Sequence, residues 1–276
     1  MTIQTAMRQG SRLLEEAGVS APRLTAEVLL CYVLGRERSY LHSHPEEELG
    51  RLPWIHYGRY LHERLEGKPT QYITQRQEFY GREFRVTPDV LIPRPETEHV
   101  VETALRLAPG ARSIVDVGCG SGAIAVSLGL ELGRPVCATD LSLEAIGVAR
   151  ENAARLGAQV EFIACDLLTA FADRSFDLLV SNPPYIPTIE EAGLPREVRE
   201  HEPRLALYAG PLGLDAYQRL LAEGARVLRP GGWMVLELGY RQADAVRAML
   251  DTRWRDIELV SDLAGFPRVL AARLAP

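Results

Sequence analysis

The run Ser181-Asn182-Pro183-Pro184-Tyr185 is where residue types and spacing in this 276-residue chain point to a definite chemistry. Asn182 offers a side-chain carbonyl oxygen and Pro183 a main-chain one. Proline fixes φ and restricts its predecessor, so both oxygens are held before any substrate arrives. Two such acceptors suit the two N–H bonds of a planar amide or aryl amine. The lone pair of that nitrogen is delocalised, which makes it a poor nucleophile toward a methyl donor. Acceptors on its N–H bonds favour the rehybridised nitrogen as charge develops, a form of electrostatic preorganisation. Tyr185 would supply an aromatic wall for a flat group. The bland alternative is that a double proline is simply a good way to leave a sheet. This chemistry demands no metal. Cys31, Cys119, Cys137 and Cys165 form no C-x-x-C pair, and among the histidines only His42 and His44 are close. That is not the spacing zinc prefers.

A second constellation is Val115-Asp116-Val117-Gly118-Cys119-Gly120-Ser121-Gly122. Glycines at a strand-to-helix turn permit positive φ and a close backbone approach to a ligand. The spacing is G-x-G-x-G rather than the G-x-G-x-x-G that seats a pyrophosphate. Asp140 ends the next expected strand, where doubly wound nucleotide folds place a carboxylate on ribose hydroxyls. Its alternative role is to cap the helix that follows. Asp166-Leu167 comes after the third strand, where adenine would lie in such a fold. These positions all fall at the carboxyl ends of successive strands, where open α/β sheets bind ligands.

The elements that must position these groups alternate after Pro95. Strands are expected over residues 113–117, 134–139, 160–164, 176–181 and 233–238, with late strands near 257–260 and 268–272. Helices are expected over 122–132, 143–156, 214–228 and 242–250, and a turn at Pro230-Gly231-Gly232. The alternation predicts a mostly parallel sheet covered on both faces. Residues 1–68 read as helices. One opens at Pro22, carries Leu24, Val28, Leu29 and Tyr32 at helical spacing, and closes at Leu34-Gly35; another runs over 52–65. Two aromatic runs around Gly81-Arg82 suggest a hairpin.

Composition narrows the classes. With 46% hydrophobic and 25% charged residues, a sizeable core is expected and disorder is not. No apolar run approaches the roughly 20 residues of a membrane span. Residues 1–10 lack the apolar core of a secretory signal, and a reducing cytoplasmic setting is the simple expectation. A net charge of -6 counts against phosphate tracking as the main mode of binding.

The glycine turn with Asp140 and Leu167 resembles the cofactor site of class I S-adenosylmethionine-dependent methyltransferases. N-P-P-Y after the fourth strand resembles the mark of members that methylate planar nitrogen. Three further segments make the resemblance specific: Val90-Leu91-Ile92-Pro93-Arg94-Pro95-Glu96-Thr97-Glu98, then Pro69-Thr70-Gln71-Tyr72-Ile73 with Phe79-Tyr80-Gly81, and Glu202-Pro203 with Leu205-Ala206-Leu207 and Gly210. Together they are similar to the HemK/PrmC family, the release-factor glutamine methyltransferases.

The resemblance implies a Rossmann-like, mostly parallel seven-stranded sheet with an N-terminal helical domain. Residues 1–75 would recognise substrate, 76–90 would form a β-hairpin linker and 91–276 the methyltransferase domain. Gly118, Cys119, Gly120, Ser121, Gly122, Asp140, Leu167 and Asn182 would contact S-adenosyl-L-methionine. Asn182, Pro183, Pro184 and Tyr185 would hold the substrate glutamine, with Asn182 and Pro183 catalytic. Arg94 and Glu98 either line the methionine end of the cofactor or form a surface ion pair; Glu202 either shapes the pocket or starts a turn with Pro203. The implied partner is a peptide-chain release factor methylated on the glutamine of its Gly-Gly-Gln motif, by a monomer with no membrane and no nucleic-acid substrate. The competing reading is a nucleic-acid amino methyltransferase using the same pocket for adenine or guanine.

Overall fold

Strands β1 (Arg76–Phe79) and β2 (Arg82–Arg85) form an antiparallel hairpin in the computed structural model, which describes residues 1–276. Phe79 pairs with Arg82, so the turn is Tyr80-Gly81, one residue earlier than the Gly81-Arg82 turn expected. Both turn residues have positive φ, 51° and 67°, the two-residue geometry that matches strand twist. Glu98 accepts a hydrogen bond from the Tyr80 amide at 2.8 Å and holds this non-glycine residue there. Phe79 and Phe84 are buried edge to face, with centroids 6.0 Å apart.

Seven strands make the main sheet: β3 (Ile114–Val117), β4 (Val136–Asp140), β5 (Val160–Ala164), β6 (Phe176–Ser181), β7 (Leu228–Glu237), β8 (Trp254–Ser261) and β9 (Pro267–Leu274). Their order is β5-β4-β3-β6-β7-β9-β8. Pairing is parallel from β5 across to β7, and β9 runs antiparallel to both β7 and β8. This is the mostly parallel α/β sheet the alternation predicts. The chain leaves β3 toward β4 and β5, then returns to β6 on the other side of β3. That reversal opens a crevice at the carboxyl ends of β3 and β6. Pro230-Gly231-Gly232 is not a turn before β7 but lies inside it. Gly231 at φ +81° and the shift in register between Phe176 and Leu178 accommodate the irregularity.

Helix Ala123–Leu132, which follows β3, is buried over its first seven residues. Its near-continuous apolar sequence therefore belongs between sheet and neighbouring helices. Two apolar clusters cover the two faces of the sheet, one around Val100, Ile124, Leu128 and Leu178, the other around Leu179, Tyr217, Leu220 and Leu236.

The chain divides into two units, residues 1–75 with 195–201, and residues 76–194 with 202–276. The hairpin thus groups with the sheet. In the first unit, Ile3, Leu14, Leu29, Leu30, Tyr57 and Leu61 form the core. Gly10 permits close helix packing, since a Cβ there would lie 2.1 Å from the Tyr57 hydroxyl. Helix Pro22–Leu34 ends at Gly35 in a left-handed cap as expected, but its buried face is Ala26, Leu29 and Leu30, while Leu24 is exposed. Glu27 is buried on the same helix and is held by Arg23 and Arg38 at 2.9 and 2.6 Å. Helices Arg51–Leu65 and Thr70–Thr74 follow, the second beyond residue 68, where the helical reading of the sequence ends. No helix is long and apolar enough to cross a membrane.

Candidate active site

The glycine turn leaves β3 and enters helix Ala123–Leu132. Gly118, Gly120 and Gly122 all adopt positive φ, at 72°, 52° and 81°. Their reasons differ. A Cβ on Gly118 or Gly120 would meet nothing within 4 Å, because the space beside them is open cavity. A Cβ on Gly122 would press on the Ala149 Cβ at 3.1 Å, so this glycine brings two helices together rather than facing a ligand. The amides of Gly118 and Cys119 both donate to the Thr139 carbonyl at the end of β4.

Asp140 completes this side. Its Oδ2 accepts from the Gly120 amide and its Oδ1 from the Ser142 amide, each at 2.9 Å. The helix beginning at Leu143 is capped by Ser142, whose hydroxyl accepts from the Ala145 amide. Asp140 is therefore not that cap, and it faces the cavity with lone pairs to spare. Leu167, at φ +50°, also faces the cavity. Cys119 is buried, and burial pushes its thiol well above the ordinary value, so it stays neutral.

Gly118, Cys119, Gly120, Ser121, Asp140, Leu167 and Asn182 line one cavity of about 580 Å³ at the carboxyl ends of β3 to β6. Pro184, Leu205, Ala206 and Tyr208 close another part of its wall. Gly122, Pro183 and Tyr185 are not among the lining residues. The volume is that of a small-molecule or cofactor site. A mostly apolar lining, open space beside two left-handed glycines and one carboxylate at the end of β4 fit a nucleoside-bearing cofactor.

The N-P-P-Y segment leaves β6 after Ser181, whose buried hydroxyl donates to the Val117 carbonyl at 2.7 Å and locks the ends of β3 and β6 together. Asn182 Nδ2 donates to Thr97 Oγ1 at 3.0 Å. Thr97 in turn donates to Glu237 Oε2 at 2.5 Å. The Tyr185 hydroxyl donates to the other Glu237 oxygen at 3.2 Å. Burial, opposed by these two hydrogen bonds, pushes the Glu237 carboxyl up to about 7. Tyr185 is also gripped along its main chain: its carbonyl accepts from Gln242 Nε2 at 2.9 Å. A Cβ on Gly213 would lie 2.1 Å from that carbonyl, and one on Gly239 would lie 2.9 Å from the Tyr185 ring.

Arg94 pairs with Glu202 at 2.5 Å, not with Glu98. Glu202 is buried and also accepts from the Ile92 amide at 3.3 Å, so it ties the 90s loop to the segment after N-P-P-Y. It does more than start a turn. Glu98 is engaged by the hairpin amide of Tyr80.

Sequence reasoning missed Glu237, and it read Thr97 only as part of a signature. A buried charge at the end of an apolar strand was the available signal for Glu237.

A seven-stranded sheet of this order with a glycine-turn cavity is the fold of class I methyltransferases. A methyltransferase from Pyrococcus furiosus shares it with a TM-score of 0.55 at 18% identity, over 72% of this chain and 91% of that one. Residues 5–74 match the model described as PrmC N-terminal domain, and residues 98–193 the methyltransferase small domain. The release factor glutamine methyltransferase of Koribacter versatilis is 45% identical over 99% of both chains. That of Moorella thermoacetica is 45% identical over 99% of this chain and 98% of the relative. The chain belongs to the release factor glutamine methyltransferase family.

Proposed function

We propose that this protein transfers a methyl group from S-adenosylmethionine to the side-chain amide nitrogen of the glutamine in the Gly-Gly-Gln motif of class-one peptide-chain release factors. One observation carries the reading: Asn182 is anchored through its nitrogen to Thr97 at the wall of the cavity that the glycine turn and Asp140 define. Its oxygen is left to accept from a substrate.

Gly118 to Ser121, Asp140 and Leu167 hold the cofactor, Asp140 on the ribose hydroxyls, and Asn182 lines the cavity beside it. Bound S-adenosylmethionine supplies a methyl group on a sulfonium that leaves as a neutral thioether. Asn182 Oδ1 and the Pro183 carbonyl accept the two amide N–H bonds of the glutamine and orient its nitrogen for in-line attack. Pro184 and Tyr185 flank the planar amide. Positioning and charge stabilisation provide most of the rate, so no strong base is needed. The proton is lost from nitrogen late. Residues 1–75 recognise the protein substrate, and the enzyme works as a cytoplasmic monomer.

The experiment is mass spectrometry of a release factor after incubation with the protein and S-adenosylmethionine. The Gly-Gly-Gln peptide should be one methyl group heavier, and replacing the glutamine should abolish the gain. Label on nucleic acid with none on the glutamine would transfer the case to an exocyclic-amine substrate. Cross-links from the bound release factor should fall within residues 1–75; their absence there removes the recognition role.

A further inference from the structure

Glu237 ends β7 with 2% of its surface exposed, and the reaction described above gives its carboxyl group nothing to do. Burying a carboxylate costs several kcal/mol unless its oxygens are satisfied. Here both are satisfied, by Thr97 and Tyr185. Both donors belong to the segments that frame Asn182. We propose that Thr97 and Glu237 are positioning residues that set the polarity of the Asn182 carboxamide, so that its oxygen and not its nitrogen meets the substrate amide. The inference rests on the reading of Asn182 as the acceptor for that amide.

The two ends of a carboxamide are nearly equal in shape, and only their hydrogen-bond partners decide which way it turns. A carboxylate only accepts, so ionised Glu237 takes the single hydroxyl proton of Thr97. The Thr97 oxygen can then only accept from Asn182, which must present Nδ2 to it. The contacts fit that sense: Asn182 Nδ2 lies 3.0 Å from Thr97 Oγ1, and Thr97 Oγ1 lies 2.5 Å from Glu237 Oε2. Tyr185 gives its own proton to the second carboxylate oxygen, so it cannot reverse the chain.

Protonating Glu237 removes the constraint. The carboxyl can then donate to Thr97, Thr97 can donate to Asn182 Oδ1, and the carboxamide turns over. Its nitrogen would face the N–H bonds of the substrate, a donor against donors. Thr97 and Tyr185 act on the Glu237 carboxyl by hydrogen bonds, Glu96 by repulsion and Arg268 on β9 by attraction, and Tyr217 lies close enough to feel its charge. Tyr217 bonds only the main-chain carbonyl of Glu237. Burial outweighs the favourable contacts and raises the carboxyl to about 7, which puts the reversal within the range of ordinary assay pH.

The test uses the full-length protein and three variants. Thr97→Val keeps shape and removes the link; it should lower kcat about 10- to 100-fold, the scale for losing orientation at a reacting group, with KM changed less than about threefold. Thr97→Ser restores the hydroxyl and should recover kcat to within about threefold of wild type. Glu237→Gln can donate as well as accept, so it should lower kcat and erase the acidic limb that wild type shows near neutral pH. The side-chain amide signal of Asn182 in nitrogen-15-labelled protein gives a readout without substrate. It should titrate in wild type and stay flat in Glu237→Gln. If Thr97→Val is too unstable to assay, the Glu237→Gln pH profile and this signal decide alone. A wild-type Asn182 signal that ignores pH, or a Thr97→Val enzyme with wild-type kcat, overturns the relay. A signal that titrates in a protein leaving the release-factor glutamine unmethylated keeps the relay and sinks the functional reading instead.

Discussion

The two sides of the cavity are built in different ways. On the β3–β4 side, backbone geometry does most of the work: left-handed glycines beside open space, amides gathered by the Thr139 carbonyl, and Asp140 bonded to two nearby amides. On the β6–β7 side, side chains distant in sequence converge: Thr97, Asn182, Tyr185, Tyr217 and Glu237, in a buried network. A backbone-made wall accepts a ligand by shape and tolerates small rearrangements. A side-chain network holds one hydrogen-bond polarity, and a single broken link leaves buried polar groups unpaired. The first construction suits binding and the second suits chemistry.

That contrast is broken most sharply at Asn182. Asn182→Ala should lower kcat on the order of 100- to 1,000-fold, the usual cost of one preorganised contact to developing charge. Cofactor affinity should change much less, and steady-state kinetics with calorimetry separates the two. A similar loss in both quantities would mean that the two sides are not divided as described.

Asp140→Ala probes the opposite side. It should weaken S-adenosylmethionine binding by about 1.5–3 kcal/mol, as expected for hydrogen bonds to a charged group. Asp140 also holds the Gly120 and Ser142 amides, so part of that loss comes from a loosened turn. Unchanged affinity by calorimetry in a folded variant removes Asp140 from the ribose role.

Two glycines then sharpen the comparison. Gly118→Ala and Gly213→Ala both place a side chain at φ near +70°. Only the second also drives a Cβ to 2.1 Å from a carbonyl, that of Tyr185. Gly213→Ala should therefore cost about 1–3 kcal/mol of stability and displace Tyr185, lowering turnover. Gly118→Ala meets open space, so its stability cost should stay near 1 kcal/mol and its main effect should be on cofactor affinity. Equal losses of melting temperature would contradict the backbone-versus-network division.

Legibility in the sequence follows the same line. The glycine turn, Asp140, Leu167 and N-P-P-Y are local motifs, and strand period with turn residues located β3 to β6 within about two residues, as boundaries allow. Groups that meet only through the fold left little trace. Thr97 and Glu237 are 140 positions apart and join through one hydrogen bond. Gly122 shows that even a motif residue can serve helix packing. The buried face of Pro22–Leu34 differs from the expected stripe because apolar residues lie on several sides of this helix, and packing against Ile3, Leu14, Tyr57 and Leu61 selects Ala26, Leu29 and Leu30. Pro230-Gly231-Gly232 was misread because β7 carries an irregularity inside the strand.

The smallest effect on turnover is expected at Asp116, which lies beneath the glycine turn and outside the cavity lining. Its Oδ2 accepts from the Ala125 amide at 3.0 Å, while Oδ1 is buried with no partner. Burial, helped by repulsion from Asp140, pushes the carboxyl up to about 7 from an ordinary 3.8. Between about pH 4 and 7 the native state holds this proton and the unfolded chain has lost it. The native state then binds more protons, so the contribution of Asp116 to stability falls as pH rises through that window. Glu237 adds a slope of the same sign, from about 4.5 to 7, while the relay makes activity rise with pH. Asp116→Asn separates the two trends. It keeps an acceptor for Ala125, puts a neutral amide nitrogen where Oδ1 stands without a partner, and does not titrate. Melting temperatures measured across the window should fall less steeply in the variant, and the acidic limb of kcat should survive. A slope as steep as in wild type would show that Asp116 is ionised in the folded protein, while loss of the limb would assign it to Asp116 and not to Glu237.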